Sequence, residues 1–320
     1  MTSPIAWSWR NALHGIALAL PAAVVMLRDP TAGLALAVGV LPAMALGVGA
    51  SRRQRLSGLL VGVLAGAAIV LGAAVGGIPV LAVVTVFVAC VAVAVLAADP
   101  GRRLATPLMI LGLPLIGTGL SFGSIADALP AAGLIVLGSA YAVLVSMLWP
   151  DRPAAPRPAR SATTRAAMLV YGIQIGLAGA LAAAIGFALG VDHPGWACTA
   201  ALMVSRPQHA LLVTRGWGRA LAVLGGAVLA CGVAALRPPA AVAAVILVLI
   251  IGVGTATAGS RWYVFPFFPT FVVLSLLLLG ETASPAHWFV ERVGMTLVGV
   301  ALALGAADVV PRLAAQRRRS

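Results

Sequence analysis

The residue whose type and place most invite chemistry is Arg206. It stands about ten residues into the apolar run 194–213 and is followed by Pro207-Gln208-His209. An arginine at the centre of a membrane helix costs about 2.5–3.5 kcal/mol on insertion scales. Two readings stay open. If the helix breaks at Pro207, the guanidinium sits at a helix end lining a polar cavity, where its planar fork can grip a carboxylate in bidentate fashion. Otherwise it snorkels to the cytoplasmic interface. His209 lies one turn on. Gln174 falls near the middle of the run 166–189, with Tyr171 three residues earlier on nearly the same helix face. That pair either lines a path for a small molecule or supplies interhelical hydrogen bonds. His14, one turn past Arg10, is a group that titrates near neutral pH or a plain interfacial histidine.

Other chemistries are not supported. No Gly-rich phosphate loop, GxSxG or HExxH motif is present. The acids Asp29, Asp99, Asp127, Asp151, Asp192, Glu281, Glu291 and Asp308 stand at or near the ends of apolar runs, so no carboxylate pair faces itself at mid-membrane. Cys90, Cys198 and Cys231 lie inside apolar runs, with no CxxC pair and no zinc spacing. The expectation is neither an enzyme nor a metal or cofactor protein. The aromatic run Trp262-Tyr263-Val264-Phe265-Pro266-Phe267-Phe268-Pro269 reads as an interface belt and lipid contact, or as a surface on which aromatic ligands stack.

These residues have to be positioned by membrane helices. The 320 residues are 62% apolar and 9% charged, against about 45–50% and about 25% in an average soluble domain. Apolar runs fall at 11–27, 31–50, 57–76, 79–98, 104–121, 129–149, 166–189, 194–213, 219–236, 239–258, 262–280 and 288–310. Each span needs about 20 residues, so the fold class expected is all-α, a polytopic membrane protein of about twelve transmembrane helices. Pro42 and Pro207 make 31–50 and 194–213 the runs most prone to break into shorter helices. Gly76-Gly77-Ile78-Pro79 and Arg237-Pro238-Pro239 close tight hairpins.

All 21 basic residues are arginine and the net charge is +13. With twelve spans, only Arg28, Arg237 and Arg292 fall on one side, and the other eighteen arginines on the other. The positive-inside rule then places both termini in the cytoplasm. This distribution, in short loops, excludes nucleic acid as a partner and leaves the bilayer. The first run ends at Arg28-Asp29-Pro30 without a small-residue cleavage pattern, so it reads as a membrane helix and not a cleaved signal.

The chain also repeats. Residues 1–150 read as a first six-helix repeat, 151–165 as a Pro/Arg-rich cytoplasmic linker, and 166–320 as a second repeat with a basic tail. Asp29-Pro30 answers Asp192-His193-Pro194, and Arg52 and Arg55 answer Arg215 and Arg219. Six helices per half is an even number, so the repeats enter the membrane the same way. They are expected to be parallel, about a pseudo-twofold along the membrane normal, with a substrate path where they meet. Glycines Gly58, Gly62 and Gly66 form a packing ridge in the third run, answered by Gly225-Gly226 in the ninth.

The stretch Pro194-Gly195-Trp196-Ala197, with Thr199, Arg206-Pro207 and then Thr214-Arg215-Gly216-Trp217-Gly218-Arg219, resembles the fusaric acid resistance family of aromatic acid exporter-like membrane proteins. Further matches are Tyr263 to Thr270 and Arg292-Val293-Gly294-Met295-Thr296-Leu297-Val298-Gly299. The resemblance is clear over about 166–311. It departs at Ala222-Val223, where the family has Gly-Thr, and at Leu34, where the first repeat lacks the counterpart of Trp196. It also lacks a large cytoplasmic domain. What it implies is efflux of small aromatic carboxylic acids across a bacterial inner membrane. Trp196 thereby joins Arg206, Gln174, Tyr171 and His209 as a candidate substrate contact. The partners it implies are a small organic anion and, among proteins, a second copy of the chain or a periplasmic adaptor. The rival reading is a non-transporting membrane scaffold subunit, suggested by the scarcity of charge at mid-membrane.

Overall fold

A computed structural model describes residues 5–99, 101, 105–153, 164–260, 264–280 and 284–316. Most of the linker, the belt residues Trp262 and Tyr263, Glu281 and the loop arginines Arg102, Arg103, Arg157, Arg160, Arg261 and Arg317 to Arg319 lie outside the described residues. Among the described residues the regular structure is helical throughout, with no strand.

The helices are α1 (Trp9–Met26), α2 (Pro30–Gly39), α3 (Leu41–Leu46), α4 (Arg52–Gly76), α5 (Pro79–Ala97), α6 (Ala105–Pro107), α7 (Leu113–Gly119), α8 (Ile125–Ser146), α9 (Arg165–Leu189), α10 (Gly195–Val204), α11 (His209–Leu236), α12 (Ala240–Ala256), α13 (Phe267–Gly280) and α14 (Pro285–Gln316). A π-helical turn, Leu108–Gly112, joins α6 to α7. Their ends have local causes. Ser8 and Thr164 cap α1 and α9 by accepting from the amides of Asn11 and Ala167, and Asp29 caps α2 ahead of Pro30. Gly190, at φ 61, ends α9 in the left-handed conformation that glycine adopts without a Cβ penalty.

Among the described residues, six helices are long and apolar enough to cross a membrane: α4, α5, α8, α9, α11 and α14. The prolines act as expected in the two suspect runs. The first splits into α2 and α3 around Val40 and Pro42, and α10 stops at Val204 ahead of Pro207. Ten residues make a helix of about 15 Å, half of a hydrocarbon core of about 30 Å. The run expected to begin at residue 219 begins at His209. Arg215 and Arg219 sit one turn apart on α11, and without a proline between them polarity alone does not stop a helix. In place of a helix from residue 262, α13 starts at Phe267, after Pro266.

The chain forms two compact units, each drawn from both halves of the sequence. One comprises residues 1–66, 130–156 and 221–293, the other 67–129, 157–220 and 294–320. In the first, α1 packs on α12 and α2, and α2 packs on α13. In the second, α9 packs on α5 and α10, and α10 on α7. The contacts are close because glycines make them. Gly15 lies against the Ile251 carbonyl, Gly138 against Gly39 and Gly226 against the Phe267 carbonyl in the first unit. Gly172 against Val91, Gly299 against the Ala197 carbonyl and Gly72 against the Ile116 carbonyl do the same in the second. Large apolar side chains such as Val80, Val84, Leu137, Leu144, Leu221 and Val228 point outward, where lipid takes the place of water.

In the first unit, several chain segments meet at one end. Asn11 accepts from the Val48 amide, Arg10 donates to the Pro150 carbonyl at 2.8 Å, and the Arg152 amide donates to the Ala50 carbonyl. The α2–α3 pair therefore returns the chain to the end where α1 began.

Candidate functional site

The second unit gathers its chemistry at the broken end of α10. Ser205 leaves the helix with ψ 128, and its hydroxyl donates back to the Ala201 carbonyl at 2.7 Å. Its own carbonyl, unsatisfied by the helix, receives the Tyr171 hydroxyl at 3.2 Å and the Arg206 guanidinium. A cation suits this place, because the C-terminal end of a helix carries partial negative charge. Tyr171 is buried, 7% exposed, two turns into α9, and is also a hydrogen-bond partner of Arg206. Arg206 is half-buried. It neither projects freely into a cavity nor lies on the surface; it closes a helix end.

Two further arginines stand beside it on α11. Arg215 is half-buried, within electrostatic reach of both Arg206 and Tyr171. Arg219 is 3% exposed and directs a guanidinium nitrogen to the Met203 sulfur at 3.2 Å. Two guanidinium groups, Arg206 and Arg215, thus converge with a phenol at the open end of α10, and Arg219 stands one turn further along α11 against Met203. Such a grouping stabilises an anion and repels a cation.

The structure brings Tyr171 and Arg206 together, and places Gln174, 5% exposed, one turn from Tyr171. His209 and Trp196 stand apart from them. His209 is exposed at the start of α11 and pairs with Asp308 of α14, Nε2 to Oδ1 at 3.0 Å. Trp196 is buried at the opposite end of α10, about 15 Å along the helix. Its ring stacks on His193 with centroids 4.2 Å apart. Between these ends Thr199 pins α10 to α7, donating to the Pro114 carbonyl at 3.0 Å and meeting the Thr118 hydroxyl at 3.2 Å.

Four residues read differently from the sequence. His14 is 2% exposed, well inside the first unit, with its ring edge-on to Trp149 at 5.2 Å; hydropathy alone put it at the interface. Arg55, read as a loop charge, is 4% exposed. Its guanidinium donates to the carbonyls of Gly49, Ala50, Ser146, Trp149 and Pro150 and pairs with Asp151 at 3.0 Å. Phe268 is a packing residue and not an open stacking surface, and Phe267 is half-buried. Phe268 is 6% exposed, and Phe267 lies on Gly225 and Gly226. A cavity of about 140 Å³ lies beside Arg55, bordered by His14, Gly47, Gly58, Ser139 and Ser146. The sequence signal for it was the Gly58/Gly62 ridge, which removes side chains from the α4 face that meets α8.

Residues 181–306 match the family model described as fusaric acid resistance protein-like. That segment contains α10, α11, α12 and α13, and with them Trp196, Arg206, Arg215 and Arg219. No curated protein and no solved structure matches the chain.

Proposed function

We propose that this multi-pass membrane protein is an inner-membrane transporter that exports small aromatic or other organic carboxylic acids. The observation that carries the reading is the pair of cations Arg206 and Arg215 beside Tyr171, with Arg219 one turn along α11; the three arginines lie inside the fusaric acid resistance-like segment. In this reading Arg206 and Tyr171 contact the carboxylate at the mouth of α10. Gln174 lines the path above them, with His209 and Trp196 flanking it at the two ends of α10. The protein needs no cofactor and makes no covalent intermediate. Its work is differential binding of an anion on two sides of a bilayer.

The architecture proposed is two parallel repeats of six apolar segments, 1–150 and 166–320, with both termini in the cytoplasm. The recurrence of the same glycine contacts in the two units supports the repeat: Gly15 with Gly172, Gly138 with Gly299, and Gly226 with Gly72. An arginine-rich cytoplasmic face concentrates anions on the side from which export starts. A second copy of the chain or a periplasmic adaptor completes the path to the outside.

The test is a growth screen of expressing and non-expressing bacteria against a panel of weak aromatic and aliphatic acids. It is paired with efflux of a radiolabelled hit from preloaded cells. Raised tolerance with faster efflux supports export. Unchanged tolerance and efflux across the panel would leave a scaffold subunit as the better account.

A further inference from the structure

The Gly15–Ile251 and Gly172–Val91 contacts put His14 of the first unit and Tyr171 of the second in matching places, each one residue before the glycine. Their surroundings differ. The Tyr171 hydroxyl is satisfied by the Ser205 carbonyl and by Arg206. His14 is 2% exposed, and among the described residues neither ring nitrogen makes a well-formed hydrogen bond; its contact with the Ala142 carbonyl is a weak one. Across the same cavity the Ser139 hydroxyl, 4% exposed, also lacks a partner. A buried polar group left without a hydrogen bond costs about 1–3 kcal/mol, so two of them facing one cavity call for an occupant.

We infer that this cavity is a binding site for a small monocarboxylate, with the His14 ring N–H and the Ser139 hydroxyl donating to the carboxylate oxygens. Size, donors and charge agree on that class. The volume of about 140 Å³ is close to the roughly 150 Å³ of an engineered apolar cavity that admits benzene, so one six-membered ring is the upper limit. A neutral imidazole offers one N–H and a serine one O–H, which suits a group with two acceptor oxygens. Arg55 and Arg10 supply positive charge nearby, offset in part by Asp151. Arg55 itself is not the ligand fork, since backbone carbonyls and Asp151 already hold its guanidinium. Its part is to fix the end of α8 and the turn before α4, and so to keep the cavity open.

This inference rests on the transport reading for its substrate class, but its experiment reads binding and not flux. Purified full-length protein in detergent is titrated with radiolabelled benzoate, in the parent and in an Arg206→Ala background that silences the cluster of the second unit. In that background saturable binding persists. His14→Ala weakens it about tenfold or more, the loss expected for a charge-assisted hydrogen bond. Ser139→Ala weakens it several-fold. Gly58→Val tests the same site without touching a polar group. A Cβ at Gly58 meets only Val143, at 3.6 Å, so the first added carbon is accommodated and the γ carbons fill the cavity; with a parental melting temperature showing that the variant folds, benzoate no longer binds. Absence of saturable binding in the Arg206→Ala chain overturns the inference, as does parental affinity in both His14→Ala and Gly58→Val. Binding that depends on His14 in a protein that moves no acid across a vesicle membrane keeps the site and overturns transport alone.

Discussion

Arg55 and Asp151 form an ion pair at 3.0 Å in which the arginine side chain is 1% exposed and the aspartate side chain 52%. The asymmetry decides what each contributes. The arginine is bound mainly by five backbone carbonyls, and the aspartate trims the net charge from the solvent side. Arg55→Met should leave those carbonyls unpaired and destabilise the protein by about 3–5 kcal/mol, the range for breaking a buried pair. Asp151→Asn should cost under about 1 kcal/mol, as exposed partners do. Thermal unfolding in detergent compares the two. Equal losses would mean that the ion pair, and not the carbonyl cage, holds this end of α8.

Arg206 offers the sharpest functional test. Arg206→Lys keeps the charge and loses the planar fork, so efflux of the acid found in the growth screen should slow. Arg206→Ala should slow it about ten- to a hundredfold, the worth of a charge-assisted contact of about 1.5–3 kcal/mol. Tyr171→Phe should fall between the parent and Arg206→Ala. Arg53, an exposed arginine on α4, is the matched control. If Arg206→Ala exports like the parent at equal membrane abundance, the residue is only a helix cap.

Packing makes a prediction that needs no substrate. A Cβ on Gly226 would collide with the Phe267 carbonyl, whereas nothing lies within 4 Å of one on Gly232, two turns along the same helix. Gly226→Ala should therefore lower stability by about 1–3 kcal/mol, the usual cost of overpacking. Gly232→Ala should be neutral or slightly stabilising, since alanine favours helix. Melting temperatures of the two variants, measured side by side, check the contact.

Topology is testable by reporter fusions. Fusions after Pro150 and at the C-terminus are expected to report cytoplasm, and one at Gly77 the outer side. A periplasmic signal at either of the first two positions would remove the basis for parallel repeats.

The sequence announced what depends on a residue and its immediate neighbours. Pro42 and Pro207 announced the broken helices, Gly76 to Pro79 the hairpin between α4 and α5, and Asp29-Pro30 the start of α2. It was silent where the answer depends on who stands opposite. Hydropathy ranks His14 and Arg55 as polar and near a run's end, which suggests an interface. Their burial follows from Trp149 and from carbonyls about 90 residues away in the chain from Arg55. The same limit applies to the site. Tyr171 and Arg206 meet because α10 is half the length of a span and brings its open end back to α9.

The helix on which α1 packs most extensively is α12, and α12 begins at Ala240. During synthesis at about 5–20 residues per second, roughly ten to forty seconds separate the two helices. For that interval the groove at Gly15, shaped to take Thr255, faces lipid or the insertion machinery. The first half of the chain thus emerges with α1, α2 and α5 waiting for α12, α13 and α9, which are still on the ribosome. Premature termination anywhere before α12 would strand it with its narrowest faces uncovered. The quality-control proteases of the membrane would meet an apolar nascent fragment, not a smaller working version of the protein.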